Sequence, residues 1–139
     1  MFNNKTIKQL QIEKYNGEYT WKFKNRRNKK TLNFLNGKKD GFCIYYFDNK
    51  NNSIKKKCEY NNDKLEGKYQ EYYSNNHLKC EMNYVKGKKH GKYQRWFRNG
   101  KLFDESNYTN GKEDIEDNIE YNIEDIINDN MLNDLFDLI

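Results

Sequence analysis

The sequence predicts a mainly β protein: an antiparallel β-meander of about four hairpin repeats in a single elongated, twisted sheet, followed by an acidic α-helical segment. Three observations predict this. Glycines recur at Gly17, Gly41, Gly67 and Gly91, 24, 26 and 24 residues apart. Between turns, large and polar side chains alternate with period two, the pattern of a strand with one buried face. Asn-Gly and Asp-rich stretches fall at matching points of each copy, where tight hairpins need positive φ.

Taken in order, residues 1–16 hold Ile7, Leu10, Ile12 and Tyr15 at mixed spacing and are expected to form an N-terminal capping strand. The repeats span 17–114. Each opens on an aromatic-rich strand, such as Gly67-Lys-Tyr-Gln-Glu-Tyr-Tyr73 or Gly91-Lys-Tyr-Gln-Arg-Trp-Phe97, and passes through a polar turn. A second strand then runs to Phe34, Tyr60, Tyr84 or Tyr108, and a second turn, marked by Gly37, Gly87 and Gly111, closes the unit. The two extra residues of the 26-residue unit fall in the turn from Asp48 to Ser53, where insertion is cheap. In the third unit, alternation puts Tyr69, Glu71 and Tyr73 on one side and Gln70 and Tyr72 on the other. Leu78, Cys80, Met82 and Tyr84 are expected to share a face on the returning strand, as are Leu102 and Tyr108 in the fourth unit. Eight strands would extend roughly 38 Å across the sheet. One such hairpin cannot bury its apolar face alone, so neighbours share a continuous stripe.

Residues 115–139 read differently. Ile115, Ile119, Ile123 and Ile126/Ile127 recur at helical spacing, and Asp114, Glu116 and Asp117 occupy the first turn, where acids complement the helix dipole. Asn128-Asp129-Asn130 suggests a break before a second short apolar run. This acidic amphipathic tail either caps the sheet or docks on a partner. The charge is split accordingly. Residues 1–111 carry 25 Lys+Arg against 11 Asp+Glu, whereas residues 112–139 carry one lysine and ten acids. A basic body with an acidic tail says more than the net +5.

No run of about 18 apolar residues exists, and no apolar stretch follows the N-terminus, so neither a membrane span nor a secretory signal is expected. The expected location is cytoplasmic, and membrane-peripheral in one reading below. The three cysteines, Cys43, Cys58 and Cys80, lie on strands without a C-x-x-C pair and are expected to be buried, reduced thiols rather than zinc ligands.

The pattern G-x-Y-x-x-[YW]-[YF]-x-N-G-x-L followed by Y-x-N-G-K-x-x-G resembles the MORN-repeat family. It is nearest the variant whose unit, like this one, spans 24 residues, found in antitoxin-like repeat proteins and in repeat proteins of giant DNA viruses. Gly91, Tyr93, Trp96, Phe97, Asn99, Gly100, Leu102, Tyr108, Asn110 and Gly111 all fit. The second unit departs at Asp63, where the family has Gly, and the first lacks the Leu in Asn28-Lys29-Lys30-Thr31. The resemblance covers about residues 17–114. It implies a stacked-hairpin architecture, with binding, scaffolding or membrane association as the function.

The residues offer no catalytic constellation. His77 and His90 sit in turns whose counterparts are Asn, Lys, Asp or Glu, and no P-loop, Ser-His-Asp or Cys-His arrangement occurs. A non-catalytic protein with no cofactor and no metal is expected. Two features could bind. Tyr46, Tyr72 and Trp96 occupy the same place in successive units, opposite Tyr69 and Tyr93, and form a candidate binding strip, although long lysine stems or the tail could cover it. Lys38, Lys39, Lys64, Lys88 and Lys89 fall in equivalent turns and form a candidate basic edge, although edge lysines also serve solubility. Three functions follow: a protein–protein interaction module or scaffold, peripheral binding to an acidic phospholipid surface, or an antitoxin-like neutralising partner. Nucleic acid fits poorly, because acids such as Glu71 and Glu81 interrupt the aromatics. The oligomeric state is left open.

Overall fold

A computed structural model describes residues 5–115. A short helix, α1 (Ile7–Ile12), precedes eleven strands: β1 (Gly17–Lys22), β2 (Asn28–Leu35), β3 (Lys38–Tyr46), β4 (Ile54–Asn61), β5 (Lys64–Leu65), β6 (Gly67–Tyr72), β7 (Leu78–Val85), β8 (Lys88–Lys89), β9 (Gly91–Trp96), β10 (Leu102–Thr109) and β11 (Lys112–Glu113). They form one sheet, antiparallel throughout, whose eight long strands follow the order β1-β2-β3-β4-β6-β7-β9-β10. The two-residue strands β5, β8 and β11 extend β4, β7 and β10 at the closing turns. The first unit, Gly17–Lys22 against Asn28–Leu35, pairs in the same register as the others.

Two kinds of turn alternate. The closing turns hold two successive residues at positive φ: Asn36-Gly37, Asn62-Asp63, Lys86-Gly87 and Asn110-Gly111. That is the mirror-image two-residue turn that matches strand twist. Asp63 keeps a φ of 68° where its counterparts are Gly, and its Oδ1 accepts from the Lys39 N–H at 2.8 Å. The opening turns are longer and hold one such residue, Arg26, Asn76 or Gly100, with the Phe23, Tyr73 and Phe97 N–H groups donating to the carbonyls of Arg27, His77 and Lys101. Asn99-Gly100 therefore looks like a two-residue turn in the sequence but is part of a longer one.

Ties between successive closing turns fix the 24-residue period. Gly37, Asp63, Gly87 and Gly111 donate their N–H groups to the carbonyls of Tyr15, Lys39, Leu65 and Lys89, at 2.8–2.9 Å. The side chain just before each of the first three unit glycines caps the next turn: Asn16 accepts from Asn36 N–H, Asp40 from Asn62 N–H and Glu66 from Lys86 N–H. Each closing turn is thus anchored on the one before it.

Every hairpin also contains one extra residue on its returning strand. The register runs Lys22↔Asn28 then Trp21↔Lys30, Tyr46↔Ile54 then Tyr45↔Lys56, Tyr72↔Leu78 then Glu71↔Cys80, and Trp96↔Leu102 then Arg95↔Asp104. Lys29, Lys55, Lys79 and Phe103 are the residues skipped. Each lies against the ring just past its opening strand: Lys29 on Phe23, Lys55 on Phe47, Lys79 on Tyr73 and Phe103 on Phe97. The skip corrects the face expected for Leu78 and Leu102. Cross-strand partners share a face, so these leucines join Tyr72 and Trp96, not Cys80 and Tyr108.

The core lies on one face of the sheet, with its main cluster at the N-terminal end and Tyr73, Cys80, Met82 and Phe97 buried further along. Leu10, Trp21, Leu32, Phe34, Cys43 and Cys58 form the cluster, with Leu10 and Leu32 fully buried. Leu10 comes from α1, which corrects the strand expected over residues 1–16. Thr6 and Gln9 form a capping box that starts the helix, a Thr-x-x-Gln signal present in the sequence. The helix is tied down by the Trp21 Nε1–H, which donates to the Lys5 carbonyl at 2.7 Å. Gly37 is required beneath it, because a Cβ there would lie 2.6 Å from the Gln11 carbonyl oxygen. The expectation of three reduced thiols is also corrected. Cys43 and Cys58 face each other across β3 and β4 with Cα atoms 5.2 Å apart, within bonding range, and form a disulfide; Cys80 is free and buried. The acidic helical tail expected over 115–139 lies, from residue 116 onward, outside the described residues.

Candidate functional site

The sheet presents two chemically different faces and one basic edge. On the outer face, the skip brings an aromatic of each opening strand beside an aliphatic of the returning strand: Tyr46 with Ile54, Tyr72 with Leu78, Trp96 with Leu102. The candidate strip is therefore three aromatic–aliphatic pairs, repeating about 9–10 Å apart. The three rings are half-buried, and Leu102 keeps 49% of its surface exposed. In the first unit the pair is polar, with Lys22 Nζ donating to Asn28 Oδ1, so the strip begins at the second unit.

Beside the strip runs a fixed polar row. Gln70 Nε2 donates to Glu81 Oε2 at 2.6 Å, and Lys68 pairs with the other oxygen at 3.4 Å. The fourth unit repeats this with Gln94, Glu105 and Lys92, at 2.6 and 2.9 Å. These hydrogen bonds hold the Glu105 carboxyl below its ordinary range, Lys92 contributing most. Tyr72 Oη donates to Gln70 Oε1 at 3.1 Å, which fixes one ring of the strip to that row.

The core face carries rings and unpaired cations. One row crosses all eight long strands: Trp21, Lys30, Tyr45, Lys56, Glu71, Cys80, Arg95 and Asp104. Lys30 lies 4.6 Å from the Trp21 ring centre and Lys56 4.1 Å from that of Tyr45. Burial lowers the pKa of both ammonium groups, and neighbouring lysines lower that of Lys30 further. Burial likewise pushes the Cys80 thiol up to about 11 and the Tyr69 phenol upward, Tyr69 Oη donating to Glu71. Arg95 is paired with Asp104. Among the described residues, no carboxylate stands within ion-pair distance of Lys30, Lys39, Lys56 or Lys89. Helix α1 covers this face at its N-terminal end, against Gly37 and the Leu10 cluster. Beyond it, a groove of about 520 Å³ opens over the third and fourth, lined by Tyr69, Met82, Tyr84, Tyr93, Arg95 and Phe103 among others.

The five lysines of the candidate edge separate into two sets. Lys38, Lys64 and Lys88 are exposed and align along the closing turns; the stems of Lys64 and Lys88 lie against Gly87 and Gly111. Lys39 and Lys89 turn onto the core face, Lys39 over Tyr60 and Lys89 over both Tyr93 and Tyr108, at 4.8–4.9 Å. Gly17, Gly41, Gly67 and Gly91 all adopt positive φ at the start of a unit's opening strand or, for Gly41, within β3. His77 ties two turns together, its Nδ1–H donating to the Arg98 carbonyl at 2.7 Å. Sequence reading missed Lys30, Lys56 and Arg95 as members of one row, because the row emerges only once the skip sets the register. Among the described residues there is no cluster of His, Cys, Asp or Glu that could hold a metal ion, and no helix long and apolar enough to cross a membrane. No family model, curated protein or solved structure matches the chain.

Proposed function

We propose that this chain is a non-catalytic, MORN-type repeat module that binds another protein through its outer face. The observation that carries the reading is the strip Tyr46–Ile54, Tyr72–Leu78, Trp96–Leu102: apolar pairs repeating in register beside the hydrogen-bonded polar row of the outer face. Large rings with adjacent aliphatics, framed by a rigid polar row, are the chemistry of an interface hot spot with its rim. The sheet supplies a regular spacing that a partner with a matching repeat or an extended apolar ridge can follow. The test is the double variant Tyr72→Ala/Trp96→Ala, compared with the native protein in partner capture followed by mass spectrometry. Loss of a specific partner at unchanged thermal stability is expected. Equal recovery by both proteins would remove the strip from the account.

A second reading rests on the basic edge. Lys38, Lys64 and Lys88 are exposed at equivalent positions after successive closing turns. Each would add about 1 kcal/mol near an anionic bilayer at low salt, and that gain would be screened as salt rises. Co-sedimentation with phosphatidylserine vesicles at low salt checks it, and absence of binding there ends it.

A further inference from the structure

The open half of the core face has a chemistry that asks for one kind of cover. It combines half-buried rings (Tyr69, Tyr84, Tyr93, Tyr108) with ammonium groups at Lys56 and Lys89 that have no carboxylate within ion-pair distance among the described residues, Glu71 lying opposite Lys56 but accepting from Tyr69. The outer face differs: its Lys68 and Lys92 are neutralised by Glu81 and Glu105. A surface matching the core face must therefore be apolar and acidic together. Residues 116–139 have that composition, with eight Asp+Glu, no Lys or Arg, and isoleucines at helical spacing. They also start in the right place, since Ile115 follows β11, which pairs with β10 at the end of the groove.

We propose that residues 116–139 fold back within the same chain onto the core face over β6–β10, seating apolar side chains on the tyrosine rings and carboxylates on Lys89 and Lys56. The reach suffices. Four strand steps separate β10 from β4, which is about 19 Å. The 24 residues of the segment would span about 36 Å even as a continuous helix. At the N-terminal end α1 already covers the same face, so the tail completes at one end what the helix does at the other. The inference is independent of the outer-face strip, which it leaves free.

Hydrogen exchange of the full chain, read by mass spectrometry on tail and strand peptides, tests it. At low salt the tail amides are expected to exchange at least about tenfold slower than the unstructured rate. In about 1 M salt, where charge is screened within about 3 Å, that protection should fall. Lys56→Gln/Lys89→Gln keeps the lysine stems' bulk and should strip protection from the tail while leaving the strand peptides unchanged. Lys64→Gln/Lys88→Gln, which removes the same charge from the turn edge, should alter neither. Tail amides at the unstructured rate in the native chain would overturn the proposal, as would protection that survives Lys56→Gln/Lys89→Gln. Protection that rises with protein concentration would overturn it too, by placing the tail on a second copy.

Discussion

The two faces of this sheet are built by the same strands and yet do different work. On the core face, a row crosses every long strand with rings and cations interleaved over its first four positions, and a helix, a disulfide and Leu32 bury its N-terminal end. On the outer face, Lys68 and Lys92 are paired in place, and the three aromatic–aliphatic pairs stand beside the exposed Phe42 and the half-buried Ile44. The device that separates them is one skipped residue per hairpin. Without it, Leu78 and Leu102 would join the core and the outer face would lose half its strip. A repeat protein can thus set the chemistry of each face by shifting one residue at the same point of every unit.

Truncating a leucine on each face should separate the two environments most widely. Leu32→Ala, at a fully buried core position, is expected to cost about 4 kcal/mol in denaturant unfolding, through lost transfer energy and a cavity. Leu102→Ala, half-exposed on the outer face, should cost under about 1 kcal/mol. Equal costs would mean that the two leucines share an environment, as plain alternation implies.

Much of this was legible beforehand. The spacing of Gly17, Gly41, Gly67 and Gly91 marked the hairpins, and Tyr46, Tyr72 and Trp96 were placed correctly opposite Tyr69 and Tyr93. The skip was hidden because Leu78-Lys79-Cys80 alternates properly whichever way its first residue points. Inserting one residue changes a face without disturbing the apolar pattern. Helix α1 was hidden for another reason: six residues give too few apolar positions to show a period, and only the Thr6-x-x-Gln9 box signalled it. The inward turn of Lys39 and Lys89 depends on rings of neighbouring strands, Tyr60 for the first and Tyr93 with Tyr108 for the second, which alternation alone does not report.

Two closing-turn glycines differ in what lies beside them along the sheet. Gly87→Ala puts a Cβ 3.7 Å from Lys64, an ordinary contact, so its cost is the left-handed backbone alone, about 1–2 kcal/mol. Gly37→Ala meets the backbone of α1 at 2.6 Å, so it should cost more and should loosen the helix, seen as faster exchange of the Leu10 amide. If the two variants melt together, α1 does not press on that turn.

Alkaline pH should act mainly on the core face, and gradually. Burial raises the phenol pKa of Tyr45, Tyr60, Tyr69, Tyr73, Tyr84 and Tyr93 there, and of Tyr72 outside. It also raises the Cys80 thiol from 9.0 to about 11. The folded state favours the protonated form of each, so their contribution is intact at neutral pH and is lost as pH climbs above the ordinary values. The lowered Lys30 and Lys56 act in the opposite direction, gaining stability as pH rises toward 10.5, and offset part of the loss. Thermal melts from about pH 8 to about pH 11 should show a net, progressive decline.

The register itself is most directly read by side-chain proton contacts in solution. The skip predicts nuclear Overhauser effects between the Tyr72 ring and the Leu78 methyls, and between the Trp96 indole and the Leu102 methyls. Contacts from the Leu78 methyls to the Tyr73 ring, with none to Tyr72, would restore plain alternation and contradict the two-faced sheet.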